Sequence, residues 1–529
     1  MSPLTRGLIK DSQLLESNIV KRAAALFTIF DLNYVDTYLL FQNYWNWKRG
    51  IEVIGIISLR NKSGKLITSQ KIKKLSNTNS FSVKKICEKE KIPFSYLEHG
   101  TVEIEIISRD NLYFPFPAII GLFKSNSGHF SSVHAAGRTT DRFNSQKFSE
   151  TNFYSKFSNQ YKPFIHLFNG KEGKLDNLSI EIKSKGEAIS SPIKRLDKPF
   201  QSEVIFIDNY FNIDKSKETI CLRSESSKSR EIAIDDNTII LVKGTCESIF
   251  PRFIVGNYDL YNNYPCVTHT FREITNKDEI QYTHEEKNSS TIALPVLHED
   301  IDLKIIIYPT ISPEKTEVEV RAFDLNSLSL LKRYSQKDLS SKEGKPIVQS
   351  SNINQNLGIG LIAQSYSEIK NLPARIPVNL LYSLKNIKSS LHTDIALQMR
   401  TKFAKRKINF WYNNILDKDY INIILGSSFM GRSFDSNNKQ DLKFRLIFNI
   451  EKSNTFHEKN FHFDNSESRS FLINLNEIFK DEIYSILNNI SNELITFSWR
   501  IELLNGEMQD LYCLTFNKKI GCLFGDHSF

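Results

Sequence analysis

The chain has 529 residues, 69 Lys and Arg against 60 Asp and Glu, and a formal net charge of +9. That length is too great for one compact core, and an apolar share of 40% with 37 Phe and 20 Tyr excludes a wholly disordered chain. The positive excess is mild over 529 residues, so it permits an acidic partner without requiring one.

In chain order, residues 1–32 read as an N-terminal helical segment, with Ser12 to Leu26 as one short helix. The apolar run from Ala23 to Phe30 is too short to cross a membrane, and Lys10, Asp11, Glu16, Lys21 and Arg22 break up the stretch before it. No secretory signal or transmembrane segment is read anywhere in the chain, so a cytoplasmic location is expected. Cys87, Cys221, Cys246, Cys266, Cys513 and Cys522 contain no C-x-x-C spacing and read as free thiols in a reducing compartment.

The rest of the chain reads as four diverged copies of one pattern. Copy one (33–140) carries Leu40-Phe41-Gln42, Ile51 to Ile57, Asn79 to Val83, Val102 to Ile107 and Ser131-Ser132-Val133-His134. Copy two (160–275) repeats the order with Leu167-Phe168-Asn169, Leu178 to Ile182, Val204 to Ile207, Thr238 to Val242 and Tyr264 to His269. Copy three (290–385) is weaker, with Leu303 to Ile307, Val318 to Val320, Pro346 to Val348 and Ile359 to Ile362. A helical joint is predicted over 386–418, where Ile395, Met399 and Phe403 recur at i, i+4 spacing. Copy four (419–529) has Phe444 to Phe448, Arg469 to Ile473, Ile495 to Ile501 and Gly521 to His527, with a helix over Asn474 to Leu487.

Alternation such as Thr101-Val102-Glu103-Ile104-Glu105-Ile106-Ile107 suits half-buried strands, and Ile305-Ile306-Ile307 suits a central one. The expected fold is all-β: tandem repeats of an antiparallel β-sandwich of immunoglobulin-like proportions, with a few short helices. Thr139–Lys162, Glu273–Ser290 and Lys385–Asp419 read as linkers.

His134, His269 and His527 close three of the copies. Brought together, three imidazoles would bind a divalent transition metal such as zinc, iron or copper. The plainer reading is a strand-end histidine bonded to a carbonyl. Copy three offers no counterpart in Pro377 to Tyr382. His462-Phe463-Asp464 has the H-x-D spacing of a facial triad, but only Ser528 and Phe529 come after His527, so a cosubstrate arginine is missing. Gly358-Ile359-Gly360-Leu361-Ile362-Ala363 matches a dinucleotide string without the strand and helix it needs.

Trp45 and Trp47 in copy one and Tyr258 and Tyr261 in copy two are candidate ligand platforms, because aromatic faces stack on sugar rings. Lys402, Lys405, Arg406 and Lys407, beside Phe410, Trp411 and Tyr412, form the candidate surface for nucleic acid or another anionic partner, although a solvated face is simpler. Lys71, Lys73 and Lys74 read as an edge-strand guard.

With no G-x-S-x-G, P-loop or H-E-x-x-H string present, no catalytic residue is assigned. The reading is a non-catalytic binding or assembly protein whose ligand is carbohydrate or another protein, with nucleic acid ranked last. The alternatives are a metal-dependent enzyme centred on histidines between the repeats, and a virion or filament subunit.

Overall fold

The computed structural model describes residues 19–114, 117–134, 137–140, 145–151, 157–184, 186–214, 216–223, 231–234, 238–272, 289–294, 298–307, 316–324, 330–336, 347–351, 357–365, 375–385, 387, 393–400, 407–427, 441–450, 456–463, 470–487, 494–506, 508 and 511–529. Their main strands fall into four sets of eight, all antiparallel.

Copy one holds β1 (Arg22–Thr28), β2 (Val35–Gln42), β3 (Ile54–Arg60), β4 (Leu66–Ile72), β5 (Thr78–Ser82), β6 (Thr101–Ile107), β7 (Ile120–Ser125) and β8 (Phe130–His134). Copy two holds β9 (Gln146–Thr151), β10 (Tyr161–Phe168), β11 (Leu175–Ser184), β12 (Glu187–Pro192), β13 (Ser202–Phe206), β14 (Ile239–Cys246), β15 (Ile254–Asp259) and β16 (Tyr264–His269). Copy three holds β17 (Ser289–Leu294), β18 (Ile301–Ile307), β19 (Thr316–Asp324), β20 (Leu330–Gln336), β21 (Ile347–Ser351), β22 (Leu357–Ser365), β23 (Arg375–Leu384) and β24 (Thr393–Arg400). Copy four holds β25 (Ile408–Ile415), β26 (Ile421–Ser427), β27 (Leu442–Ile450), β28 (Phe456–Phe463), β29 (Ser470–Asn474), β30 (Thr496–Asn505), β31 (Tyr512–Asn517) and β32 (Cys522–His527).

The strand order is the same in every copy. One sheet is β1-β6-β3-β4, and β9 to β32 repeat that order; the other is β5-β2-β7-β8, likewise repeated. Stepping four strands along the chain turns the first sheet's order into the second's, so each sandwich also repeats itself by halves. The sequence landmarks land on equivalent strands: Leu40-Phe41 and Leu167-Phe168 both lie on second strands, and Asn79 to Ser82 and Ser470 to Ile473 both lie on fifth strands.

In three copies the fifth strand runs straight into a helical turn. Ser82 caps α2 (Val83–Glu90) by accepting from Lys85 N at 3.0 Å. Phe206 leads into a 3-10 turn at Ile207–Asn209, and Asn474 caps α3 (Leu475–Ile478), which α4 (Lys480–Leu487) follows. A further helix, α1 (Tyr44–Arg49), follows β2.

Strands replace the predicted helices at two joints. Arg22–Thr28 is β1, paired along its length with β6, where the sequence reading extends a helix over Ser12 to Leu26; residues 1–18 lie outside the described residues. Thr393–Arg400 is β24, paired with β23, and not a helical joint. Ile395, Leu397 and Met399 fit a period of two as well as Ile395 and Met399 fit a helix turn, and a neighbouring strand with open hydrogen bonds decides between them. The expected linkers likewise contain β9, β24 and β25, so copies two and four begin earlier, and copy three ends later, than the sequence suggests. Residues 273–288, most of the second expected linker, lie outside the described residues.

The chain forms two compact units, one built on Leu8–Thr275 and the other on Asn276–Glu343 and Ile347–Phe529. In the second, alternate residues of β18 (Ile301, Leu303, Ile305, Ile307) and β23 (Val378, Leu380, Tyr382, Leu384) share one core with Ile423, Leu425, Tyr512, Leu514 and Phe516 of copy four. That core lies between copies, because Cys513 and Thr515 on the opposite face of β31 meet Asn414 inside copy four's own sandwich. The second sheets are therefore covered on both faces. Each fully buried Leu, Ile or Phe there contributes about 1.5–3 kcal/mol, so the two sandwiches are held as one body.

The same sheets meet in the first unit. Tyr264 OH on β16 donates to Phe130 O on β8 at 3.0 Å, and Phe30 stands edge-on to both Phe123 and Phe164. The outer sheets look different. β4 and β28 hold only exposed and half-buried residues, whereas β8 and β16 are buried throughout.

Candidate functional site

His134, His269 and His527 are each the last residue of an eighth strand: β8, β16 and β32. The residues just beyond them form a clasp. In copy two Thr270 N donates to Phe253 O (2.9 Å), and its hydroxyl accepts from Phe253 N (3.0 Å) while donating to Glu150 on β9 (2.7 Å). In copy four Ser528 N donates to Leu511 O (2.7 Å), and its hydroxyl accepts from Leu511 N (3.0 Å) while donating to Asn409 on β25 (3.1 Å). Phe271 then pairs with Thr151, and Phe529 with Phe410, so the chain after strand eight closes onto strand one. In copy one Gly137 pairs with Leu26 of β1 in the same way.

Two of the histidines anchor that turn identically. His269 Nδ1 lies 3.1 Å from Thr270 O, and His527 Nδ1 lies 3.1 Å from Ser528 O. A carbonyl only accepts, so Nδ1 carries the proton and Nε2 presents a lone pair.

His134 and His269 do converge, with ring centroids 4.8 Å apart at 86°. Arg252 lies between them. Its Nη2 reaches His134 Nε2 at 3.1 Å and also reaches His269 Nε2. One amino group has two hydrogens, one for each imidazole, and a metal needs those same lone pairs. His527 belongs to the other compact unit. In copy three the eighth strand is β24 and ends on Arg400. Pro377 to Tyr382, the stretch matched to it by sequence, lies on the seventh strand, β23.

Sequence reasoning missed the groups buried where copies one and two meet. Glu103 on β6 is 1% exposed and accepts from Arg60 Nη1 (2.7 Å), Arg22 Nη2 (3.1 Å) and the Thr139 hydroxyl. Arg22 Nε also meets Glu105 at 2.5 Å, and the Arg60 guanidinium lies 4.2 Å from the centre of the Phe200 ring of copy two. Glu103 is thus no solvent-facing member of an alternating strand; the seam between sandwiches covers it. Close by chain, Ser202 N donates to Lys62 O (3.0 Å), and a Cβ on Gly64 would sit 1.9 Å from Pro199 O, so a loop of copy one rests directly on the backbone of copy two.

His166 on β10 is fully buried, and its Nδ1 lies 2.8 Å from the Thr28 hydroxyl of β1. Burial, and then neighbouring His99, pushes its pKa down to about 3. Burial also holds His99 below the usual range.

The aromatic candidates divide. Trp45 is fully buried in α1, stacked on Tyr44 and edge-on to Phe41, so its ring has no face left for a ligand. Trp47 is half-buried. Tyr258 is half-buried beside Phe30 and Phe206, while Tyr261 is 73% exposed. Lys407 is exposed, and Lys402, Lys405 and Arg406 lie outside the described residues. His462 is exposed and 3.3 Å from Asp441; Asp464 also lies outside the described residues. Gly358 to Ala363 forms part of β22, a strand and not a phosphate loop. All six cysteines are free thiols, and no helix among the described residues is long and apolar enough to cross a membrane.

No family model matches the chain, and no curated protein does. Among solved structures it is similar to "Biofilm associated protein - BSP domain" at 8% identity, over 96% of each chain, with a TM-score of 0.15. Two structures of Escherichia coli alpha-2-macroglobulin, activated by porcine elastase and by trypsin, align at 7% and 9% identity. They cover 96% and 94% of this chain and 43% and 41% of their own, with TM-scores of 0.09 and 0.10. Scores that low leave the fold resting on the strand pairing itself.

Proposed function

We propose that this chain is a non-catalytic binding or assembly protein, a scaffold of paired β-sandwiches whose ligand is carbohydrate or another protein. One observation carries the reading: the buried polar groups at the strand-eight clasps and at the contact of copies one and two are committed to ties between strands and between copies. Arg252 engages His134 and His269, Glu103 holds Arg22 and Arg60, and the Thr270 and Ser528 hydroxyls close their sandwiches. Groups held this way fix geometry rather than turn substrate over. Tyr261 and the half-buried Trp47 and Tyr258 remain the candidate ligand platform.

The convergence of His134 and His269 favours a second reading, a metal-dependent enzyme. Metal analysis of protein purified without a histidine tag separates the two. The scaffold reading expects well under one zinc, iron or copper ion per chain. A near-stoichiometric ion that disappears in His134→Ala or His269→Ala, with the melting temperature kept, would establish the second reading instead.

A further inference from the structure

Among the described residues the fourth strand of every copy is an edge of its first sheet, which gives four topologically equivalent edges to compare. Exposed edges invite pairing with another chain, and proteins blunt them with lysines, prolines or bulges. In copy one the ladder to β4 is broken by a register shift at Leu59/Arg60, and Lys71, Lys73 and Lys74 lie on or just beyond that strand. In copy two β12 ends on Pro192. In copy three the ladder to β20 shifts register at Ala322/Phe323, and the strand carries Lys332 and Arg333.

Copy four has neither the proline nor the register shift. β28 pairs with β27 without a shift from Phe456 to Phe463 and contains no proline. Its one lysine, Lys459, is exposed but tied to Ile478 O at 2.6 Å. Among the described residues no strand pairs with its outer edge. Phe456, Glu458, Asn460 and His462 point outward and are exposed, while Phe461 and Phe463 lie back on Phe444.

This edge is complementary to itself. Opposite residues of an antiparallel ladder share a face, so a two-fold pairing of β28 with its own copy must centre on a residue, not between two. Centring on Asn460 sets each Glu458 against His462 of the second copy, and Asn460 against Asn460. On the inner face it sets Lys459 against Phe461 and His457 against Phe463. Centring on Lys459 or Glu458 opposes like charges, and centring on Phe461 takes Glu458 away from His462.

We propose that β28 is a homodimerisation edge: a second copy of this chain adds its own β28 antiparallel in the Asn460-centred register and joins two four-stranded sheets into one of eight. The partner is another copy because the two-fold register sets each Glu458 carboxylate beside a His462 ring nitrogen and each Asn460 amide against its twin. This deepens the assembly reading above and rests on it.

Sedimentation velocity on the full chain across a concentration series tests the idea with three variants. Wild type is expected to move from 61.2 kDa to twice that mass. Glu458→Lys and His462→Glu should each weaken the dimer roughly tenfold, since each spoils two symmetry-related pairs. Glu458→Lys/His462→Glu places a lysine opposite a glutamate in that register alone and should regain wild-type affinity. Melting temperatures within a few degrees of wild type show that the variants fold. A dimer untouched by the single variants, or not restored by the double, overturns the edge and leaves an assembly of another kind. A wild type that stays monomeric throughout overturns the dimer, and the scaffold reading then stands or falls on the metal analysis.

Discussion

Glu103→Ala is expected to destabilise the Leu8–Thr275 unit by about 3–5 kcal/mol, read as a lower urea midpoint with little change in slope. Glu103 is 1% exposed and Arg60 11%, so removing the carboxylate leaves a guanidinium in the seam with no charge opposite it. The Thr139 hydroxyl also loses its acceptor, and Thr139 lies between the two sandwiches. Most of the cost is the stranded cation and not the lost attraction, because a buried ion pair gains little over a well-packed apolar group. Glu103→Leu/Arg60→Leu should therefore recover much of what Glu103→Ala loses. A single variant costing under about 1 kcal/mol would show that water reaches the seam and that Glu103 ties nothing together.

The second large effect is acid lability through His166. Its folded pKa is about 3, against about 6.5 for an unperturbed imidazole. Above pH 6.5 the ring is neutral in both states and its contribution to stability is fully present. Below 6.5 the unfolded chain takes up a proton that the folded chain refuses, so stability falls by about 1.4 kcal/mol per pH unit until roughly pH 3. The difference in stability between wild type and His166→Gln should then shift by about 3 kcal/mol on going from pH 7 to pH 4, with wild type losing more. Asp394 has the opposite sign. Burial, and then Asp526, holds its carboxyl well above the usual range, so it weakens the fold as pH rises. Its contribution is common to both proteins and cancels in the difference. Parallel stability profiles for wild type and His166→Gln would contradict the burial of His166.

Much of the fold was legible because the repeat is a topological one. Val204 to Phe206 and Thr78 to Ser82 share little identity, yet both are fifth strands feeding a helical turn. The strand ends were harder to read. Arg22–Thr28 is alanine-rich and Gln146–Thr151 buries few apolar side chains, so neither advertises a strand; each is one because a partner strand offers its hydrogen bonds. The same limit applied to charge. Alternation marked Glu103 as outward, which is right for one sandwich and wrong here, because Thr139 after β8 and Phe200 of copy two cover that part of the outer sheet. The histidines could be read as strand ends, and His269-Thr270-Phe271 against His527-Ser528-Phe529 was the available signal for the clasp. Arg252 could not be found this way, since no spacing ties it to His134 or His269.

The central claim is that two sandwiches share a core through their second sheets and open together. Hydrogen exchange on the intact chain tests it most directly. The account predicts that amides of β18, β23, β26 and β31 exchange slowest and at a common rate, while those of the outer edge β28 exchange early. Loss of protection in β26 and β31 while β18 and β23 stay protected would show two independent sandwiches, and the paired scaffold would be wrong.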